Sequence, residues 1–239
     1  MKPFQFKKFT VAQDKTAMKI GTDGVLLGAW CALPEFPDSV LDIGSGTGLI
    51  SLMIAQRTDA MTIDAVEVDA AAYEQTVANF EQSDWGDRLF CYNASFNDFV
   101  TEMIEEEEQY DIIVSNPPFY TDNFETNDVS RNKARFTSSL SFKELIVGVA
   151  KILAQKGMFS VIIPYKEEVE FLKIALEYNL FLNKVCHVKG NENSVIKRSL
   201  LTLSFEEKEI EKELLVIEKE RHQYTDAYIN LTKDFYLKM

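Results

Sequence analysis

Cysteine is scarce: Cys31, Cys91 and Cys186 are the only three in 239 residues, odd in number and far apart. That spacing argues against a disulfide-stapled fold and fits small buried side chains in a reducing compartment, the cytoplasm. Histidine is scarcer still, at two. His187 and His222 fall in no acid–base motif and read as structural or surface residues, and no metal-ligand spacing is present, so no metal is expected. No apolar run approaches the roughly 20 residues of a membrane-spanning helix, and residues 1–8 lack the apolar core of a secretory leader. Positive charge is also in deficit, with 25 Lys and Arg against 38 Asp and Glu, a formal −13. Taken as a whole-molecule number, that charge disfavours a nucleic-acid partner.

What charge there is, however, is unevenly spread. Glu102 and Glu105 to Glu108 form an acidic run, and residues 206–220 hold seven Glu against three Lys. Residues 1–20 instead carry five Lys and one Asp, with Phe4, Phe6 and Phe9 interleaved. Arg131, Lys133 and Arg135 follow in a polar stretch, and Lys189, Lys197 and Arg198 lie in a second basic segment. A polyanion responds to the local field, so an acidic protein can still offer it one basic face.

Strand and helix signals alternate along the chain. Apolar runs at 40–44, 62–69, 88–94, 110–114, 158–164, 180–188 and 199–205 predict seven strands, separated by helical periodicity except between the last two. With residues 189–198 and no helix between them, those two are expected to pair antiparallel. The expectation is an α/β protein with helices on both faces of a mixed sheet. Residues 1–35 read as an arm and a helix capped by Thr22 or Asp23, residues 36–205 as the core, and 206–239 as an extension ending in an aromatic-rich helix whose rings serve packing. Ser141 is expected to cap the helix that follows it.

Two stretches carry chemistry. The first is Asp42-Ile43-Gly44-Ser45-Gly46-Thr47-Gly48, a strand running through a glycine-rich turn into a helix. Glycines there allow close backbone approach to a ligand. The spacing is not that of a dinucleotide fingerprint, which disfavours a dehydrogenase, and Asp42 would repel a pyrophosphate but bond an ammonium group. Glu67, at the end of the second strand, is placed to grip ribose hydroxyls; Asp69 competes two residues on, and strand alternation favours Glu67. Ser95 and Phe96, with Asn97 and Asp98, are read as a loop after the third strand. The second stretch is Ser115-Asn116-Pro117-Pro118-Phe119, after a buried strand. Prolines stop the strand and hold Asn116 extended. Its amide oxygen and the Pro117 carbonyl are two acceptors for the hydrogens of a planar amine, and Phe119 is a surface for stacking a base.

Together these residues resemble the class I S-adenosylmethionine-dependent methyltransferases of the amino-methylating branch, which have a Rossmann-like, seven-stranded mixed sheet with an antiparallel last strand. The flanks, Phe9-Thr10-Val11-Ala12-Gln13-Asp14, residues 18–30, Ala134-Arg135-Phe136-Thr137 and Asp234-Phe235-Tyr236-Leu237, resemble the bacterial enzymes that methylate adenine-N6 in a valine tRNA, next to the anticodon. The resemblance implies S-adenosyl-L-methionine as cofactor. Asp42, Gly44, Ser45, Gly46 and Gly48 would hold its methionine end, Glu67 its ribose, and Ser95 with Phe96 its adenine. The family commonly has an acid where Ser95 stands, with Asp98 as a substitute. Asn116, Pro117, Pro118 and Phe119 would form the catalytic turn, Asn116 also facing the cofactor. Lys7, Lys8, Lys15, Lys19, Arg131, Lys133, Arg135, Lys189, Lys197 and Arg198 would contact phosphates of a tRNA anticodon loop. A monomer is expected. The rivals are a protein glutamine methyltransferase, which uses the same turn on a carboxamide, and a non-catalytic RNA-binding module.

Overall fold

Parallel strands buried on both faces read as unbroken apolar runs, and the centre of this sheet is built from them. A computed structural model describes residues 2–16, 18–118 and 140–238. The polar stretch 120–139, with Arg131, Lys133 and Arg135, and the neighbouring Phe119 lie outside the described residues. The chain opens with a hairpin, β1 (Phe4–Gln5) and β2 (Thr10–Val11), then α1 (Thr22–Trp30). β3 (Ser39–Ile43), α2 (Leu49–Arg57), β4 (Thr62–Val66), α3 (Ala70–Glu81), β5 (Leu89–Tyr92), α4 (Phe96–Glu105) and β6 (Tyr110–Ser115) alternate. Next come α5 (Phe142–Ile152), β7 (Leu153–Pro164), a 3-10 turn, α6 (Glu168–Glu177), β8 (Phe181–Asn191), β9 (Ile196–Ser204), β10 (Glu211–Glu220), β11 (Gln223–Tyr224) and α7 (Asp226–Thr232).

The large sheet has the order β11-β10-β8-β9-β7-β6-β3-β4-β5. β5, β4, β3, β6 and β7 are parallel; β9 runs antiparallel to both β7 and β8. Alternation along each strand divides the core between the two faces. Val40, Ile63, Ile112 and Val114 face α1 and α2, packing with Leu26, Leu52 and Met53. Leu41, Ile43, Ile113 and Val161 face α4, α5 and α6, packing with Phe99, Leu145 and Phe171. The α/β class, helices on both faces and the antiparallel β9 agree with the sequence reading. Ser141 caps α5 through a full capping box with Glu144. No helix of the described residues is long and apolar enough to cross a membrane.

Three expectations need correction. The sheet has nine strands rather than seven, because the acidic start of the C-terminal extension, expected to be a connector with a short apolar run, is strand: Glu211 to Glu218 pairs parallel with Lys184 to Asn191 of β8. Charge disguised β10. It lies near the sheet edge, with only Leu215 buried, and its glutamates are used in pairing. Glu213 accepts from the Trp30 indole at 2.6 Å and meets Lys184 at 2.9 Å. The C-terminal helix covers only Asp226–Thr232; Tyr236 then bridges to Phe6, tying the N-terminal arm to the end of the chain. In α1, neither Thr22 nor Asp23 caps. Gly21 is the N-cap, with no side-chain bond, and Asp23 accepts instead from Arg198 Nε at 2.8 Å. Finally, Ser95 to Asp98 is not a loop. Ser95 caps α4, accepting from the Asp98 amide at 3.2 Å, and Phe96 opens the helix.

The second core is tight where α4 crosses α5. A Cβ on Gly148 would collide with the Phe96 ring and lie 3.1 Å from Val100 Cγ2. Gly148→Ala is expected to cost about 1–3 kcal/mol through overpacking. Thermal unfolding should show a midpoint several degrees lower.

Candidate active site

The glycine-rich turn joins β3 to α2 and takes its shape from three left-handed residues: Gly44 at φ 73°, Gly46 at 59° and Gly48 at 74°. Gly44 N–H donates to the Val66 carbonyl at 2.9 Å, which locks the turn to the end of β4. A Cβ on Gly44 or Gly46 would meet nothing within 4 Å, so that side of the turn is open to a ligand. Gly48 differs: a Cβ there would stand 2.6 Å from the Phe80 ring and 3.1 Å from Thr76.

Asp42 lies fully buried beneath this turn. Its Oδ2 accepts from the Ser51 amide at 3.2 Å and hydroxyl at 2.7 Å, whereas Oδ1 has no hydrogen-bond partner. Burial pushes its carboxyl up to about 6; the Ser51 bonds oppose this, and the nearby Glu67 charge adds to it. A buried anion with an orphaned oxygen is costly without a cationic partner. The orphaned acceptor oxygen calls for a donor or cationic group, and the turn leaves room for a ligand chain beside Gly44 and Gly46.

Glu67, just past β4, is almost buried. Its Oε2 accepts from the Gly46 amide and its Oε1 from the Asp69 amide, both at 2.9 Å. Asp69 instead caps α3, accepting from the Ala72 amide at 2.8 Å. Ser45 Oγ lies 3.4 Å from Thr76 Oγ1. At the start of α4, the Ser95 hydroxyl donates to Asp98 at 2.6 Å, while the Phe96 ring is buried in the second core.

β6 delivers Asn116 to the same edge. Ser115 Oγ donates to the Ile43 carbonyl at 3.0 Å, so the ends of β6 and β3 are bonded directly above the glycine turn. Asn116 is half-buried, Pro117 buried and Pro118 exposed. Gly24 of α1 closes over Asn116; a Cβ there would stand 4.0 Å from Asn116 Nδ2. The structure therefore brings Asp42, Gly44, Gly46, Glu67 and Asn116 to the carboxyl edge of the parallel strands, where open α/β sheets bind ligands.

Sequence reasoning missed a polar brace on α3. Asn79 donates to the Thr47 carbonyl at 2.8 Å and exchanges two bonds with the Ala12 backbone, both 2.9 Å. Gln75 accepts from the Lys15 amide at 3.1 Å, and Thr76 donates to the Gly46 carbonyl at 3.1 Å. The signal was present in the sequence: three polar residues on one helical face, at positions where an amphipathic helix would bury apolar ones. Asn93, which donates to the Glu67 carbonyl at 2.8 Å, was missed as well.

Among the described residues, the basic candidates do not form one bare patch. Lys15 meets Glu74 at 2.9 Å, and Arg198 meets Asp23. Lys7 Nζ reaches the Lys233 carbonyl, Lys19 Nζ the Gln13 and Thr16 carbonyls, and Lys189 Nζ the Glu192 carbonyl. Lys8 and Lys197 are exposed. An exposed pair such as Lys15–Glu74 is weak enough to exchange its partner for a phosphate.

Comparison with known proteins adds a second line of evidence. Residues 24–177 match the family model described as methyltransferase small domain. The chain is 55% identical over 237 residues to the tRNA1(Val) (adenine(37)-N6)-methyltransferase of Christiangramia forsetii, covering 99% of this chain and 98% of that protein. It is 41% identical to the protein of the same name from Pseudoalteromonas translucida, over the full length of both. Among solved structures, a predicted O-methyltransferase from Agrobacterium tumefaciens superposes with a TM-score of 0.69 at 17% identity, covering 89% of this chain and 96% of that one. A type I restriction-modification methyltransferase subunit from Streptococcus thermophilus superposes with a TM-score of 0.60 at 18% identity, covering 90% and 52%. At such identities these two likenesses concern the fold alone.

Proposed function

Since the chain belongs to the methyltransferase small-domain family, and within it to the group of the tRNA1(Val) (adenine(37)-N6)-methyltransferases, we propose that it methylates the exocyclic amine of the adenosine immediately 3′ of the anticodon in valine tRNA. It is an S-adenosylmethionine-dependent enzyme of the class I fold. The observation that carries the reading is the bonded junction of β3 and β6: a buried carboxylate with an orphaned oxygen under an open glycine turn, and Asn116-Pro117-Pro118 on the neighbouring strand end.

When bound, the cofactor supplies a methyl group activated by a sulfonium centre. In this proposal Asp42 holds the ammonium group, and Gly44, Ser45, Gly46 and Gly48 leave room for the methionine chain. Glu67 keeps its backbone donors and turns its remaining lone pairs to the ribose hydroxyls. Ser95 and Asp98 flank the adenine. Because the Phe96 ring is committed to the core, that residue offers its backbone rather than its ring.

For the acceptor, the Asn116 amide oxygen and the Pro117 carbonyl accept the two amine hydrogens. This favours the tetrahedral nitrogen, whose lone pair is no longer delocalised into the ring. As the nitrogen gains its fourth bond it becomes acidic and releases a proton, so no strong base is required. Pro118 follows in the turn, and Phe119, outside the described residues, is assigned to stack on the adenine. A loop adenine is already single-stranded, which lowers the cost of flipping it out. Lys8 and Lys197, together with the other basic candidates named above, contact the phosphates. Cytoplasmic action as a monomer completes the proposal.

The test offers purified enzyme and methyl-labelled cofactor with unmodified tRNAs one at a time, and with a release-factor-like protein. Label in valine tRNA alone is the expected result. Label in a glutamine of the protein would overturn the substrate and leave the cofactor site standing.

A further inference from the structure

A cleft of about 530 Å³ opens beside the site, and no step of the proposed reaction uses it. Its walls are aromatic: Phe4 of β1, Tyr224 of β11, Tyr228 of α7, and Tyr236. Tyr228 and Tyr236 are committed to packing, Tyr228 being buried and Tyr236 bridging to Phe6. Phe4 and Tyr224 are only half-buried. The Tyr224 ring packs beside Tyr228 of the same lining, with centroids 5.1 Å apart and planes tilted by 38°. Phe4 meets Tyr236 edge-on at 6.2 Å. Gln5 and Glu218 supply polar groups in the lining, and Lys238 adds a positive charge.

The cleft is joined to the site through α1. Thr22 lines the cleft, and Gly24, two residues on, closes over Asn116. Residues two apart lie on nearly opposite faces of a helix, so the first turn of α1 separates cleft from site by about a helix diameter, ~10 Å. At about 3.4 Å per stacked nucleotide, and more when extended, two or three nucleotides of a single strand cover that span.

We propose that this cleft is a second base subsite, holding an unstacked base of the anticodon loop a few nucleotides from the one that is methylated. The inference rests on the tRNA reading above. A half-buried tyrosine braced by a neighbouring ring offers a surface for stacking, the usual device for single-stranded nucleic acid. The carboxylate of Glu218, which already accepts from the His222 amide at 3.3 Å, can only accept, so it meets a donor on the base edge, an exocyclic amine or a ring N–H. A subsite of this kind explains how an acidic protein holds RNA: stacking supplies affinity that its charge does not.

The experiment uses full-length enzyme and valine tRNA, with KM and kcat measured separately. Tyr224→Leu keeps an apolar side chain at the position and removes the π-face. It should raise the KM for tRNA about tenfold, with kcat and cofactor affinity unchanged. Tyr224→Phe should restore the wild-type KM. Gln5→Trp fills the cleft from an exposed position without disturbing a packed ring, and should raise KM similarly. In the wild type, an abasic nucleotide at one loop position other than the target should raise KM to the same degree, and Tyr224→Leu should add nothing there. If Tyr224→Leu and Gln5→Trp leave KM unchanged while the wild type methylates tRNA, the subsite is wrong and the function stands. If the wild type methylates no RNA, the function fails and takes the subsite with it.

Discussion

Asn116→Ala is expected to lower kcat on valine tRNA by about 10²–10³-fold, the loss typical of removing one preorganised group that acts on the transition state. The side chain is half-buried at the end of β6, in a turn held by two prolines and by the Ser115–Ile43 bond. Alanine leaves that backbone intact, so the thermal midpoint should move by no more than a few degrees. The affinity for cofactor should fall far less than kcat, because Asp42, Glu67 and the glycine turn lie on other strand ends. Asn116→Asp retains acceptor oxygens at the same position and should keep more of the rate than alanine does. Isothermal titration with cofactor and steady-state methyl transfer, run on the same preparations, separate these effects. Equal losses in cofactor affinity and in kcat would make Asn116 a cofactor ligand rather than an acceptor for the target amine.

The second large effect belongs to Asp42. Its carboxyl is pushed up to about 6 from an ordinary value of 3.8, first by burial. The folded protein therefore binds one more proton than the unfolded chain between about pH 4 and 6. The unfolded chain holds fewer protons, so this group makes stability fall as pH rises through that window, by about 3 kcal/mol in the absence of cofactor. Asp42→Asn should remove that part of the pH dependence, which is read as the difference between wild-type and variant denaturation at pH 4 and pH 6.5. The opposite sign holds for binding. An ammonium partner needs the ionised carboxylate, so the wild-type affinity for cofactor should decline below about pH 6. At pH 7.5, Asp42→Asn should bind cofactor about a hundredfold more weakly, as expected when one partner of a buried charge pair is removed. Identical pH profiles of stability in wild type and variant would show that Asp42 is not the strained group.

The parts of this molecule legible in its sequence are those where one physical requirement dominates. β3 and β6 are buried on both faces and admit few polar residues except those with a task, so Asp42 and Asn116 stood out against apolar runs. Gly44, Gly46 and Gly48 were legible because positive φ is costly for other residues. The rest depended on partners remote in sequence. Asp23 looked like a helix cap, and its actual partner, Arg198, lies 175 residues away. The glutamates of β10 looked like a solvated run until Trp30 and Lys184 were placed against them. Phe96 sat beside the expected adenine position in the sequence, yet the start of α4 turns its ring toward Gly148. Gln75, Thr76 and Asn79 are polar on a buried face of α3, and only the fold shows that they brace the glycine turn and the N-terminal arm.

The central claim is the atom and the nucleotide that receive the methyl group. Valine tRNA treated with the enzyme and labelled cofactor should be cut into defined fragments and digested to nucleosides, with the label located by mass spectrometry. The account predicts a single N6-methyladenosine, in the fragment that carries the nucleotide immediately 3′ of the anticodon. A methyl group on a ring nitrogen, on a ribose, or on an adenosine outside the anticodon loop would contradict it.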